Sequence, residues 1–411
     1  MLTSSLVPHA AVAEPRQPTG PVLPGDTSHL RVVIGSGSAK VAPSARGEWV
    51  LRDAWGGVHA RGDAPPDWHV ERRHGRTRIV FPATGRVTAW SDEPFTLAAG
   101  RDGAVRWNGR TYRGQLAFVP VDTAILVVNV VPLEDYLRGV VPLELGVRSP
   151  NERAALEAQA IAARSYAVVR RRERRGAPFD LTGAGWDQVY GGMDAEHPIA
   201  DAAVAATAGL VLTVRGEVVP APYHSACGGQ TAAPGEAWSG VGGSSWLRPV
   251  RDVPDGSDQP WCAIAPRFRW ERVLDGRELE ATVARYLQVH GGTRLVAGGA
   301  VRGARVEGRT GSGRVSAVLL DTDAGTLRLA GTALREVLRS PHGAILNSTY
   351  FSLQPVIGRD GRLTQLMLHG IGNGHGVGMC QWGAIGRARA GHDARAILAA
   401  YYPGATVGRL R

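Results

Sequence analysis

The sequence predicts an α+β protein, and three observations carry that prediction. Short apolar runs broken by Gly, Asp and Pro fill the first part of the chain, which is strand patterning. A strongly periodic helix begins at about residue 151. Alternating segments and Gly-dense turns then dominate to the end. At 411 residues there is chain enough for about two or three domains. A hydrophobic share of 44% supports a sizeable core.

Residues 1–27 read as a signal-like leader and linker: positions 2–13 carry no charge, Ala11-Val12-Ala13 fits a small-x-small cleavage site, and EPRQPTGPVLPGDT is linker-like. Residues 28–131 read as a β-rich module, with strands expected at Leu30–Ile34, Thr77–Phe81 and Leu116–Val119. Residues 132–267 and 341–411 read as two parts of one core. Its long helix is expected to be capped by Asn151 and to run to about Arg174, before Gly176 and Pro178. A short helix is expected at Ile199–Ala208, and a hairpin turning at Arg215-Gly216. Between the two core parts, residues 268–340 read as an α+β insertion, with a helix at Gly276–Val289 and strands at Val301–Arg309, Arg314–Leu320 and Thr326–Leu329. A last helix is expected near Ala394–Tyr402.

Charge narrows the partners. The net charge of +10 suits an anionic polymer, but Lys40 is the only lysine and the one dense basic run, Arg170 to Arg175, sits at a helix end. No aromatic-interleaved basic motif accompanies it, so nucleic acid is not an expected partner. No stretch reaches the roughly 18 apolar residues of a membrane span.

Four segments carry chemistry. Tyr136-Leu-Arg-Gly-Val-Val-Pro-Leu-Glu144 ends an apolar run at a single carboxylate; walls of Val140, Val141 and Leu145 would raise its pKa, as a general acid for a glycosidic leaving group requires. A helix-capping or surface Glu is the plainer reading. Glu157-Ala-Gln159-Ala-Ile-Ala-Ala-Arg164-Ser-Tyr166 places a glutamine on a largely apolar helix face. Tyr223-His-Ser-Ala-Cys-Gly-Gly-Gln-Thr231 sets His224 beside Ser225, but adjacent strand side chains point apart, which argues against a nucleophile–base pair. Gly370–Gly383 surrounds His375 with glycines; it lacks the Lys-Ser/Thr of a phosphate loop and suggests an imidazole on an exposed, tightly turned backbone.

Taken in this order, these segments resemble the SpoIID/LytB family. YLRGVVPLE resembles its acid-bearing motif, EAQAIAARSYA its Ala-rich helix, and DQVYGG, HSACGGQT and HGVGMCQWGA three further signatures; AILNSTYF and ILAAYYPG fit its later part. The resemblance covers roughly 110–411 and implies a SpoIID-like core. It further implies an exported lytic transglycosylase of the cell envelope. Such an enzyme cuts peptide-stripped peptidoglycan strands between muramic acid and glucosamine and leaves an anhydro product. Glu144 would be the one catalytic acid and base, where glycosidases ordinarily need two carboxylates. Arg164, Tyr166, Gln188, Tyr190, His224, Ser225, His375 and Gln381 would bind substrate, with the signatures converging on one cleft. No cofactor is implied. The alternative within the family is a non-catalytic enhancer of a cell-wall amidase. The chain departs from the pattern at Leu145-Gly146, Cys380 and Trp382. Where some members bind zinc just before DQVYGG, it has Thr182, Trp186 and Asp187, so no metal is expected there. For an exported protein, Cys227 and Cys262 are disulfide candidates with Cys380 left over. Free thiols, or a metal held by His224, Cys227 and Cys262, remain open.

Overall fold

The computed structural model describes residues 28–185, 187–238, 241–290, 299–340 and 342–410. The expected leader and linker over 1–27, and Trp186, lie outside them. Helix accounts for 26% and strand for 36%, so the chain is α+β. It divides into two compact units, residues 28–221 with 406–410, and residues 222–405.

The first unit is built on a seven-stranded sheet. Its strands, in spatial order, are Leu181–Thr182, His29–Gly37, Ile125–Pro132, Gln115–Pro120, Phe95–Ala99, Trp49–Arg52 and Val58–Gly62. Alternation explains the pairing: Ala117, Val119, Val128 and Val130 face one another across antiparallel partners and form a dry cluster with Val33 and Leu126. A four-stranded and a three-stranded sheet complete the β-rich part.

Three helices come next in the chain: α1, Leu133–Leu145; α2, Arg153–Glu173; and α3, Pro198–Ala206. Helix α1 departs from the expectation of a simple apolar run. Gly139, the β-branched pair Val140-Val141 and Pro142 are poor helix formers. Packing overrides propensity here, because Tyr136, Leu137, Val140, Val141 and Leu145 are all buried on it. Helix α2 begins two residues after Asn151. The chain enters through the 3₁₀ turn Pro150–Glu152, where the Ser149 N–H donates to Glu152 Oε2 at 3.1 Å, so Ser149 and Glu152 cap the entry and Asn151 does not. The hairpin after α3 turns on Arg215 (φ 52°) and Gly216 (φ 83°), the positive-φ pair of a type I′ turn. Its strand Leu210–Val214 also pairs with Thr406–Arg409.

The second unit contains helices α4, Pro234–Ala237; α5, Gly276–His290; α6, Thr332–Val337; α7, Gln381–Arg389; and α8, Ala394–Tyr401. The sheet Val301–Arg309, Val315–Thr322, Gly325–Ala330 matches three strands read from the sequence. Strand Arg269–Asp275, at the start of segment 268–340, pairs with Leu363–Ile371 of the later core segment. Leu274, Leu279, Val283, Val318, Leu334 and Leu366 lie in one core.

The basic run at the end of α2 is partly turned inward. Asp187 is fully buried and accepts from Arg174 (2.9 Å), Arg170 (3.3 Å), Tyr166 Oη (3.0 Å) and both the N–H and hydroxyl of Thr182 (2.8 and 3.1 Å). Burial opposes its ionisation, but the two arginines and the Thr182 N–H outweigh burial and hold the carboxyl below its ordinary value of 3.8. Because the folded value lies below the unfolded one, this stabilisation is present above about pH 3.8 and is lost as the pH falls further. Asp187→Asn should therefore cost about 3–5 kcal/mol at pH 7, because Arg170 and Arg174 lose the buried carboxylate they share. The deficit should shrink in acid below the carboxylate range. Equilibrium urea unfolding at both pH values measures it; a loss under about 1 kcal/mol at pH 7, the worth of a surface pair, would overturn the assignment.

Candidate functional site

In the first unit, the last turn of α1 carries Glu144. Gly146 (φ 78°) ends the helix, and its N–H donates to Pro142 O at 2.9 Å. Glu144 is buried, with a relative exposure of 5%, and its Oε1 accepts from the Val189 N–H at 2.9 Å. The acid-bearing segment and the DQVYGG segment therefore meet at the carboxylate itself.

The neighbouring candidates lock these two segments together. Gln188 is buried; its Oε1 accepts from Tyr136 Oη (3.0 Å) and its Nε2 donates to Ala163 O (3.3 Å), bridging α1 to α2. Tyr190 donates to Asn129 Oδ1 (2.8 Å) and packs its ring on Tyr136 with centroids 4.9 Å apart. Gly139 leaves room for that ring: a Cβ there would lie 2.6 Å from it. Burial raises the Tyr136 and Tyr190 pKa values well above 10, so both phenols remain donors.

Arg164 sits apart from Glu144 in its hydrogen bonding. It is fully buried and grips Glu134 with two parallel bonds, 2.8 and 2.7 Å, while donating to Leu210 O at 2.9 Å. Glu134 also accepts from the Gly209 N–H. Arg164 thus ties α1, α2 and the strand after α3. Tyr166 is directed to Asp187. Glu134 and Asp187 carry no spacing signal in the sequence; only the unexplained arginines of α2 ask for buried carboxylates to meet them.

In the second unit, strands Tyr223–His224 and Met379–Cys380 pair in parallel, bringing His224, Ser225, His375 and Gln381 into one neighbourhood. The glycines make that approach feasible. Gly374 (φ 106°) would place a Cβ 2.8 Å from His224 Cβ, and Gly378 (φ 70°) one 2.0 Å from Pro222 O. The loop is tightly turned, as expected, but His375 is not exposed on it: its relative exposure is 6%. Its Nδ1 accepts from the Val377 N–H (3.1 Å), so Nε2 carries the proton given to Tyr223 O (2.9 Å). His224 is fully buried and donates from Nδ1 to Val377 O (3.1 Å). Its ring lies 5.5 Å from that of His375, and the Trp238 ring packs against His375 at a tilt of 47° with centroids 5.0 Å apart. Gln381 is buried and Ser225 half-buried. A cavity of about 870 Å³ in this unit, lined in part by Arg269, Glu271, Arg309, Tyr350 and His369, contains none of the expected site residues.

Cys227, Cys262 and Cys380 are all buried in this unit as separate thiols. The Cys227 and Cys262 sulfurs are 3.6 Å apart, and Asp252 joins the group, with Oδ2 3.3 Å from Cys227 Sγ. Burial pushes the Cys227 and Cys380 thiols well up. No sequence motif marks Asp252.

Burial, reinforced by Arg314, depresses the His224 pKa to about 3, and burial with His224 beside it holds His375 well below 6.5. Both rings are neutral when folded and take up protons near pH 6.5 when unfolded. Their contribution is therefore complete above pH 6.5 and is lost as the pH falls towards the folded values, about 2 kcal/mol for His224 between pH 7 and 5. Imidazole NMR should find His224 uncharged down to pH 5 and His375 titrating below the ordinary 6.5; a ring titrating near 6.5 would contradict the burial described.

Comparison with known proteins gives these sites a context. The family described as Stage II sporulation protein matches residues 121–214, which hold α1, α2, α3 and Glu144; a domain of unknown function, DUF8618, matches residues 251–378. An uncharacterized protein of Brachyspira hyodysenteriae is 32% identical over 305 residues, 73% of each chain. The amidase enhancer of Bacillus subtilis is 28% identical over 300 residues, 66% of this chain but only 40% of that protein. Stage II sporulation protein D of Bacillus subtilis is 28% identical over 315 residues, 72% of this chain and 80% of that one. With its signatures ordered around Glu144 and the His224–His375 loops, the chain belongs to the SpoIID/LytB family.

Proposed function

We propose that this protein is a peptidoglycan lytic transglycosylase of the cell envelope, exported to reach its substrate, with Glu144 as its catalytic acid and base. The observation that carries the proposal is the meeting of two signature segments at one sheltered carboxylate, which the Val189 N–H orients. Among the described residues no helix is long and apolar enough to cross a membrane.

The chemistry needs only one carboxyl. Protonated Glu144 gives its proton to the oxygen bridging muramic acid and glucosamine as that glycosidic bond breaks. The resulting carboxylate takes the proton of the muramic hydroxyl that attacks the same carbon, closing the anhydro ring and restoring the acid. Gln188, Tyr136 and Tyr190 are positioning residues in this reading, since their hydrogen bonds hold the backbone around Val189. Arg164 and Tyr166 act one step further away, through Glu134 and Asp187. The loops with His224, Ser225, His375 and Gln381 serve substrate binding; the buried histidines act by shaping the glycine loop, since both are neutral and bonded to backbone.

A second reading is favoured by one relative, whose name is amidase enhancer. In it, the protein binds stripped glycan and stimulates a cell-wall amidase without turnover.

Glu144→Gln separates the two. The amide keeps the shape of the side chain but cannot deliver the proton, so release of anhydro-muramic products from peptide-free glycan should fall by at least about 10²–10⁴-fold, with folding and glycan binding kept. Mass spectrometry of digests reads this directly. Wild-type release by the variant would end the single-acid mechanism; no release by the parent, with stimulation of an amidase, would replace it by the enhancer reading.

A further inference from the structure

We propose that Cys227, Cys262, Cys380 and Asp252 form a tetrahedral zinc(II) site in the second unit. Their ligand atoms all lie within 4.8 Å of one another, and all four residues are buried. Tetrahedral zinc with Zn–S near 2.3 Å and Zn–O near 2.0–2.2 Å sets its sulfurs about 3.8 Å apart and sulfur from oxygen about 3.5 Å apart. The Cys227–Cys262 separation of 3.6 Å and the Cys227–Asp252 separation of 3.3 Å are close to those edges.

The surroundings are those of a held ligand set. Asp252 Oδ1 is engaged by Tyr401 Oη (2.8 Å) and Arg387 (3.1 Å), which turns Oδ2 towards the sulfurs. Backbone N–H groups point at sulfur: Gly229 to Cys227 (3.3 Å), and both Cys227 and Gly383 to Cys380 (3.2 and 3.3 Å). These donors oppose the burial that otherwise pushes the Cys227 and Cys380 thiols up. Cys380 is also the N-cap of α7, where the helix dipole favours negative charge. Gly383 is held to glycine by the same arrangement, because a Cβ there would lie 2.3 Å from Asp252 Oδ2 and 2.1 Å from Tyr401 Oη.

The backbone is already fixed around the four donors. The Asp252 N–H donates to Gly229 O (2.8 Å), and Asp252 O accepts from the Trp261 N–H (3.0 Å). Three thiolates and a carboxylate in a dry site repel one another, and a divalent cation offsets half of that charge; Arg387 on Asp252 and buried Arg314, donating to Cys227 O (2.8 Å), offset more. The site would join the 223–231 loop, the 252–262 segment and the start of α7. His224, a ligand candidate from its spacing to Cys227, is not among the four donors that lie within 4.8 Å of one another. Neither the four donors nor their geometry depends on what Glu144 does.

The test is metal analysis of the full chain purified without chelator or reductant. About one zinc per chain is expected, with a fall in Tm on chelation. Cobalt(II) added to the stripped protein should give the thiolate charge-transfer and tetrahedral d–d bands, a readout that needs no variant. Cys380→Ser and Asp252→Ala should each weaken zinc retention at least tenfold. A disulfide between Cys227 and Cys262 in non-reduced peptide maps would overturn the proposal. So would zinc-free protein with three reactive thiols, or zinc content unchanged by Cys380→Ser.

Discussion

A polar group taken out of water has to find its partner inside the protein, and both candidate regions of this chain are organised by that demand. Arg164 and Gln188 have no exposed surface, and each is met by groups from a separate segment: Arg164 by Glu134 and Leu210 O, Gln188 by Tyr136 and Ala163 O. Arg164 on α2 and Gln188 beyond it thereby become struts. Helix α1 is a helix, in spite of Gly139 and Pro142, because these struts and the buried face of Tyr136 and Val140 define where it must lie. Glu144 inherits its position from that, at the end of a helix whose axis is pinned along its length.

The same demand governs the histidine loop. Two imidazoles are fully or almost fully enclosed, and the backbone groups of Tyr223 and Val377 fix which nitrogen of each carries its proton. Left-handed glycines bring those backbone groups close enough. A family signature rich in Gly around a histidine is thus explained by packing before any contact with substrate is considered.

Much of this architecture is legible in the residues. The 3.6-residue periodicity of α2, the alternating strands after residue 300 and the Arg215-Gly216 turn are local signals, and local signals survive translation into structure. What is not legible is non-local. The cap at Ser149 is hidden by an equally good capping residue, Asn151, two places later. Asp187 looks like an ordinary loop acid, yet it receives Arg170 and Arg174 and converts part of an apparent basic patch into interior. Asp252 has no motif around it, and its approach to three cysteines from distant segments depends on the fold alone. The exposure expected of His375 fails for the same reason: glycines signal a turned backbone but do not say what covers it.

The pairing of Leu210–Thr213 with Thr406–Arg409 has a consequence for how the protein is made. The two strands belong to one compact unit, but all of residues 222–405 is synthesised between them. During translation the strand at 210 must wait with one edge open until residues 222–405 have been made. Such long-range closure is slow and leaves an edge available for wrong partners. The first unit, though it leads the chain, receives its last strand only after every residue of the second has been made.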